Sequence, residues 1–198
     1  VHADHITAMG ALRDRTNCVT VMGEQSPVDV VSMRVSDGER VTIEGIDLTA
    51  MHTPGHTDDS YCFRMDDRVF TGDTLLIRGT GRTDFQNGDA GQQYDSLFDG
   101  VLKLPESTLV YPAHDYKGDM VSTIGEERAS NPRLQVGSRA EYIELMAGLN
   151  LPNPKMMDVA VPENIRMGLN LDRQREVATV MPESIIMDNA DGMLLVCL

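Results

Sequence analysis

The chain opens with two imidazoles and a carboxylate, His2, Asp4 and His5, within four residues. Ordinary surface sequence seldom reaches this density, and imidazole together with carboxylate is a ligand set that suits zinc or iron. Taken alone, the cluster leaves two interpretations open. It is either a loop that binds or supports a metal, or a polar loop held by its own hydrogen bonds.

Three further metal-competent side chains follow, each at a turn after an apolar stretch. His56 comes after a Pro-Gly turn, Asp73 comes after a Thr-Gly pair, and His114 comes after a short apolar stretch that ends in Pro and Ala. Loops at strand ends project side chains from a rigid scaffold, so these positions suit ligands. Each cluster alone fits an exposed turn equally well, but four clusters in this order favour a metal site.

The composition argues against several classes of protein. The 31 acidic and 17 basic residues give a net charge of −14, which repels polyphosphate, so no nucleic-acid partner is expected. The three cysteines are an odd number without metal-ligand spacing, so neither a disulfide framework nor a cysteine zinc site is expected. No segment approaches the about 20 apolar residues that cross a bilayer, so no membrane partner is expected.

The apolar pattern predicts a mixed α/β domain that is strand-rich in its first half. The predicted strands are residues 17–22, 28–35, 41–51, 61–65, 68–71 and 109–111. The predicted helices are residues 6–15, 92–102, 121–128 and 138–149, and residues 160–168 are predicted to be a closing loop. We expect one domain over residues 1–172, followed by a linker or the start of a further domain over residues 173–198.

The series H-x-D-H, TPGHT, TGD and a late His resembles the motif series of the metallo-β-lactamase superfamily. This resemblance implies an α/β fold of the αββα sandwich type. The full first motif of the superfamily is H-x-H-x-D-H, and Val1 stands in the position after its first His. The resemblance therefore implies an N-terminally truncated sequence that lacks the first strands of the sandwich and its first metal-ligand His.

Longer segments resemble the persulfide dioxygenase family, whose members are similar to the ethylmalonic encephalopathy protein. These segments are residues 76–86, 111–118, 131–133, 150–154 and 160–166. The resemblance implies one iron(II) per chain, held by His56, Asp73 and the absent first His. It also implies oxidation of glutathione persulfide by O₂ to sulfite and glutathione, since two His and one carboxylate leave positions open for both reactants.

The same resemblance places Arg82 and Tyr116 near the glutathione pocket, where they could pair with a carboxylate and donate a hydrogen bond. The alternatives are a loop-bracing salt bridge for Arg82 and a packed ring for Tyr116, and Arg133 is expected to be structural. The resemblance also concerns four other residues, whose positions serve the metals in two-metal relatives. They are His2, Asp4, His5 and His114. Around a single iron, they are expected to surround the metal site without binding the metal.

Two other functions remain open from the sequence. One is a glyoxalase II-like hydrolase of a glutathione thioester, which would hold two zinc ions, and the other is an inactive truncated fragment. A homodimer is a further possibility, as is a fused or partner sulfurtransferase, because residues 194–198 resemble the first strand of a following domain. The expected compartment is the bacterial cytoplasm or the mitochondrial matrix.

Overall fold

The chain folds into two structural units, and each contains most or all of one sheet. The structure is a computed structural model, and it describes residues 1–28, 30–43, 45–154 and 156–168 and the backbone of residues 194–196. Among the described residues, the first unit comprises residues 1–22, 26–28, 30–34, 152–154, 156–168 and 194–196. The second comprises residues 23–25, 35–43 and 45–151.

Strands dominate the first half of the chain and helices the second, as the sequence predicts. The helices are α1 (Met9–Thr16), α2 (Ala90–Asp95), α3 (Ile124–Ser130), α4 (Arg139–Ala147) and α5 (Met157–Ile165). The strands are β1 (Val19–Gly23), β2 (Met33–Val35), β3 (Arg40–Ile43), β4 (Ile46–His52), β5 (Tyr61–Arg64), β6 (Arg68–Gly72), β7 (Leu109–Pro112), β8 (Ser122–Thr123) and β9 (Leu194–Val196).

A six-stranded mixed sheet organises the second unit, in the order β3-β4-β5-β6-β7-β8. Neighbouring strands are antiparallel except for β6 and β7, which are parallel. The predicted hairpin is confirmed as β5 and β6, because the two-residue turn Asp66-Asp67 separates two apolar segments. Strand and helix side chains share one core, which contains Cys62, Val69, Leu97, Val110, Ile124 and Tyr142.

Two predicted elements of this unit are corrected by the structure. Residues 41–51 form two antiparallel strands, because the chain reverses at Gly45, whose φ of +90° suits glycine. Residues 92–102 are not one α-helix: α2 begins at an Asp89 cap, and a π-helical turn Ser96–Gly100 and a 3₁₀ turn Val101–Lys103 follow it. The region is therefore helical as predicted, but it changes from α-helix to a π-helical turn and then to a 3₁₀ turn.

The first unit contains a three-stranded sheet in the order β2-β1-β9, in which β1 and β9 are parallel. Its apolar core includes Met9, Met22, Val28 and Met167. The prediction of a closing loop at residues 160–168 is wrong over most of its length, because α5 continues to Ile165 with Pro162 inside it. The predicted strand at residues 28–35 is limited to β2.

The predicted domain boundary at residue 172 lies outside the residues that the structure describes. The tail strand expected from the sequence is present as β9 and pairs with β1. None of the helices within the described ranges combines the length and the apolar character needed to cross a bilayer.

Candidate metal centre

The second unit brings His56 and Asp73 together, although 17 positions separate them in sequence. The imidazole Nε2 of His56 lies 3.5 Å from the Asp73 Oδ2, and only 10% and 7% of these side chains are exposed. Two local turns produce this arrangement. Gly55 has a φ of +142° just before His56, and Gly72 has a φ of +51° just before Asp73, next to a register shift between β6 and β7.

A backbone carbonyl fixes the ring of His56. The Nδ1 of His56 lies 2.7 Å from the carbonyl oxygen of Arg82, and a carbonyl can only accept, so Nδ1 carries the proton. In the neutral ring, the lone pair of Nε2 then points toward the carboxylate of Asp73. Two lone pairs face each other at this distance favourably only when a cation or a proton lies between them, so the pair suits a metal ion.

The second oxygen of Asp73 contacts another imidazole. His114 Nδ1 lies 2.6 Å from Asp73 Oδ1, and the ring of Tyr116 stacks on that of His114 with centroids 6.0 Å apart and planes 6° apart. The structure therefore brings together three of the predicted residues, His56, Asp73 and His114, with Tyr116 beside them. Tyr116 is 81% exposed, so it is not the packed ring that was its alternative interpretation.

Arg82 is engaged by a carboxylate of its own loop. Its Nε and one terminal nitrogen lie 2.5 Å from the two oxygens of Asp84, and the guanidinium lies 4.5 Å from the ring centre of Phe85. The hydrogen bond from Arg82 lowers the pKa of Asp84, and the same bond raises the pKa of Arg82. In this structure, Arg82 thus forms the loop-bracing salt bridge that was its alternative role.

Arg133 is half-buried and donates to the carbonyl oxygen and the hydroxyl of Thr80. Burial lowers the pKa of its guanidinium. These contacts agree with the structural role expected for Arg133.

The first unit holds the opening cluster of His2, Asp4 and His5. Asp4 Oδ1 lies 3.0 Å from His5 Nδ1, and the rings of His2 and His5 stack with centroids 6.0 Å apart. Asn164 of α5 holds this loop, because its Nδ2 donates to the carbonyls of His2 and His5 at 2.8 Å each and its Oδ1 accepts from Thr7 N–H at 2.8 Å. No local sequence pattern indicates this role of Asn164.

Comparison with known proteins identifies the class of fold. The family model described as the metallo-beta-lactamase superfamily matches residues 23–114. A metallo-beta-lactamase from Staphylococcus aureus superposes with a TM-score of 0.74 over 83% of this chain and 55% of its own, and at 21% identity this likeness concerns the fold alone. The chain belongs to the metallo-β-lactamase superfamily, and the fold class predicted from the motifs is confirmed.

The similar proteins include persulfide dioxygenases. The mitochondrial persulfide dioxygenase ETHE1 of Homo sapiens is 44% identical over 171 residues, which cover 85% of this chain and 66% of the human protein. The crystal structure of ETHE1 from Myxococcus xanthus is 52% identical, with a TM-score of 0.82 over 85% of this chain and 74% of its own. Within the superfamily, the chain is a member of the persulfide dioxygenase family. It spans slightly less than two thirds of the human relative.

Proposed function

We propose that this chain carries the metal centre of an iron(II)-dependent dioxygenase that oxidises glutathione persulfide with O₂ to sulfite and glutathione. The observation that carries the proposal is the pair formed by His56 Nε2 and Asp73 Oδ2, 3.5 Å apart and nearly buried. The similarity to proteins named persulfide dioxygenase supports the choice of substrate and metal.

His56 and Asp73 would be two of the ligands that hold the iron. Iron(II) in such a site supplies the redox chemistry with O₂. The residues of this chain orient the ligands: the Arg82 carbonyl keeps the proton on Nδ1 of His56, and His114 contacts the Asp73 oxygen that does not face His56. Fixed ligands leave the remaining coordination positions to the reactants.

Arg82 and Tyr116 are the proposed substrate-binding residues. Tyr116 is exposed beside His114, so its phenol is accessible to a polar ligand. In the structure, the Arg82 guanidinium is paired with the carboxylate of Asp84. A carboxylate of glutathione can bind Arg82 by replacing Asp84, and this exchanges one charge-assisted ion pair for another. The proposed substrate site therefore includes a carboxylate that competes with the substrate.

One feature of the site favours a second candidate function. Both oxygens of Asp73 face imidazoles, His56 on one side and His114 on the other, so these three side chains would offer ligands to two metal ions. A two-metal centre would support glyoxalase II-like hydrolysis of a glutathione thioester. In this alternative, the centre would hold two zinc ions.

The test is the metal content and reactivity of the protein, purified without oxygen. We expect about one iron per chain and O₂ uptake with glutathione persulfide. The variants His56→Ala and Asp73→Ala should each lose the iron, because each removes a ligand. The matched control is His52→Ala, since His52 ends β4 and its Nε2 lies 3.0 Å from the Asp58 carbonyl oxygen.

Two zinc ions with thioester hydrolysis and no O₂ uptake would overturn the proposal in favour of the hydrolase. Protein without metal or activity would instead favour a binding or inactive role. The remaining expectations are part of the same proposal: a mitochondrial-matrix or bacterial cytoplasmic enzyme, a homodimer, and a fused or partner sulfurtransferase that handles the same sulfur chemistry.

A further inference from the structure

Four successive carbonyl groups in the loop of residues 79–82 each accept a hydrogen bond from a side chain. We call this segment the carbonyl loop. The donors come from three different parts of the second unit, since Asn131 and Arg133 belong to the same 3₁₀ turn, and the first three donors lie outside the metal centre. They are Asn131 Nδ2 to Gly79 O at 2.9 Å, Arg133 to Thr80 O, Gln93 Nε2 to Gly81 O at 3.2 Å and His56 Nδ1 to Arg82 O at 2.7 Å.

The carbonyl loop lies directly against both proposed ligands. A Cβ added at Gly81 would be 2.3 Å from the Asp73 carbonyl oxygen and 2.7 Å from the His56 Nδ1, and the Gly81 N–H donates to that Asp73 oxygen at 2.7 Å. There is no room for the loop to move toward the ligands. Movement away from them would lengthen the bond between the Arg82 carbonyl and His56 Nδ1.

Gln93 contacts the chain on both sides of that bond. Its side chain holds Gly81, the residue before Arg82. Its backbone and Cβ pack against Gly55, the residue before His56, so closely that a Cβ on Gly55 would lie 2.3 Å from the Cβ of Gln93. One residue of α2 thus sets the spacing between the two segments that carry the hydrogen-bonded pair His56 and Arg82.

The amide of Gln93 is held in a single orientation. Gly81 O only accepts, so the Gln93 atom facing it is Nε2, and Oε1 then accepts from the Tyr142 hydroxyl at 2.8 Å. Both side chains are fully buried. Burial raises the pKa of Tyr142 to about 12, so the phenol keeps the proton that this hydrogen bond needs.

We propose that Gln93, oriented by Tyr142, is a positioning residue that fixes the tautomer of His56 through the carbonyl loop. The proposal rests on the metal-ligand role proposed for His56. Gln93 touches neither His56 Nε2 nor Asp73 Oδ2. It holds Gly81 so that the Arg82 carbonyl stays within reach of His56 Nδ1, which leaves the Nε2 lone pair directed to the metal position.

The test variant is Gln93→Leu, which removes the amide and keeps a buried side chain of similar size. The matched control is Gln135→Leu, since Gln135 Nε2 also donates to backbone carbonyls, those of Arg128 and Asn131, but lies outside the carbonyl loop. Tyr142→Phe is the second variant, because it removes the hydroxyl that orients Gln93 and that also lies 3.2 Å from Thr80 Oγ1 in the carbonyl loop. Unfolding by urea shows which variants retain the fold.

The first measurement is the imidazole ¹⁵N spectrum of the metal-free protein, with His56 assigned through the His56→Ala variant. The unsubstituted protein should show His56 as the Nδ1–H tautomer. Gln93→Leu should show a mixture of tautomers, Tyr142→Phe a smaller change, and Gln135→Leu none. This measurement does not depend on which metal or substrate the enzyme uses, so it separates this proposal from the proposed function.

The second measurement is Fe(II) binding to chelator-treated protein without oxygen. We expect the dissociation constant to rise about 10- to 100-fold in Gln93→Leu, as when outer partners of ligating histidines are lost, and to stay within about twofold in Gln135→Leu. An unchanged His56 tautomer and unchanged Fe(II) affinity in folded Gln93→Leu would overturn the proposal. If that variant does not fold, the same result in Tyr142→Phe would do so.

Discussion

Asp73 is the residue on which the arrangement of the site depends. Its two oxygens contact two imidazoles, those of His56 and His114, and its own backbone carbonyl receives the N–H of Gly81. One residue therefore links both histidines to the loop that orients His56. Substitution of Asp73 should affect metal content, the position of His114 and the loop together, whereas substitution of His114 leaves the pair of His56 and Asp73 in place.

Arg82 and Asp84 give a prediction at the scale of single residues. Arg82→Ala should raise the KM for glutathione persulfide by about 10- to 100-fold at unchanged iron content, because a charge-assisted pair with a substrate carboxylate contributes about 1.5–3 kcal/mol. Asp84→Asn should lower the KM, because it removes the carboxylate that competes for the guanidinium. Steady-state kinetics on both variants measures the effect.

The two variants distinguish the alternatives because their effects have opposite signs. If Arg82 is only a loop brace, both substitutions break the same salt bridge and both should impair the enzyme alike. A loss of iron in Arg82→Ala would also contradict a pure binding role. Such a loss of iron would mean that the substitution moves the carbonyl loop, so that the Arg82 carbonyl no longer holds His56 Nδ1.

The elements differ in how well the sequence predicts them. The hairpin of β5 and β6 was predictable because turn residues separate two apolar segments. The hairpin of β3 and β4 was missed because its halves share one apolar pattern and a single glycine reverses the chain. Helix α5 was predicted to be a loop, and its Pro162 is a residue type that usually ends a helix. Local pattern thus locates elements better than it locates their interruptions.

The site shows the same limit. Histidine and aspartate at turns are recognisable in a sequence, so His56, Asp73 and His114 could be predicted as candidate ligands, and the structure brings them together. Their supports were not found, because a contact from Gln93 to a backbone carbonyl, or from Asn164 to residues more than 150 positions away, leaves no local pattern. The carbonyl of Arg82 accepts the hydrogen bond from His56 Nδ1, but every residue has a carbonyl, so the sequence does not mark this one.

Helix α5 supports a prediction at the scale of elements. Asn164→Ala should destabilise the protein by about 1–3 kcal/mol, because it leaves the carbonyls of His2 and His5 and the Thr7 N–H without their partner. Urea unfolding measures this loss. The control is Asn150→Ala, at an exposed position, for which we expect a change within about 0.5 kcal/mol. Equal stability of the two variants would show that Asn164 does not hold the opening loop.

At the scale of the whole molecule, the question is whether strand β9 is part of this fold, through its pairing with β1, or the start of a further domain. Its pairing with β1 predicts that the amides of Leu194–Val196 exchange more slowly than free peptide, although faster than those of β4, because β9 is at the edge of its sheet. Hydrogen exchange with mass spectrometry measures both segments. Rapid exchange at Leu194–Val196 would favour the sequence-based expectation of a further domain that starts after residue 172.

Tyr116 gives the protein an optical property that follows from its place in the site. The chain has no tryptophan and five tyrosines, so its ultraviolet emission comes from tyrosine alone. Tyr61 and Tyr142 are buried, whereas Tyr116 is exposed and stacked on the histidine that contacts Asp73. Any ion or ligand that displaces His114 changes the surroundings of this fluorophore. The molecule therefore contains its own emission probe for titrations of the site, without an attached dye.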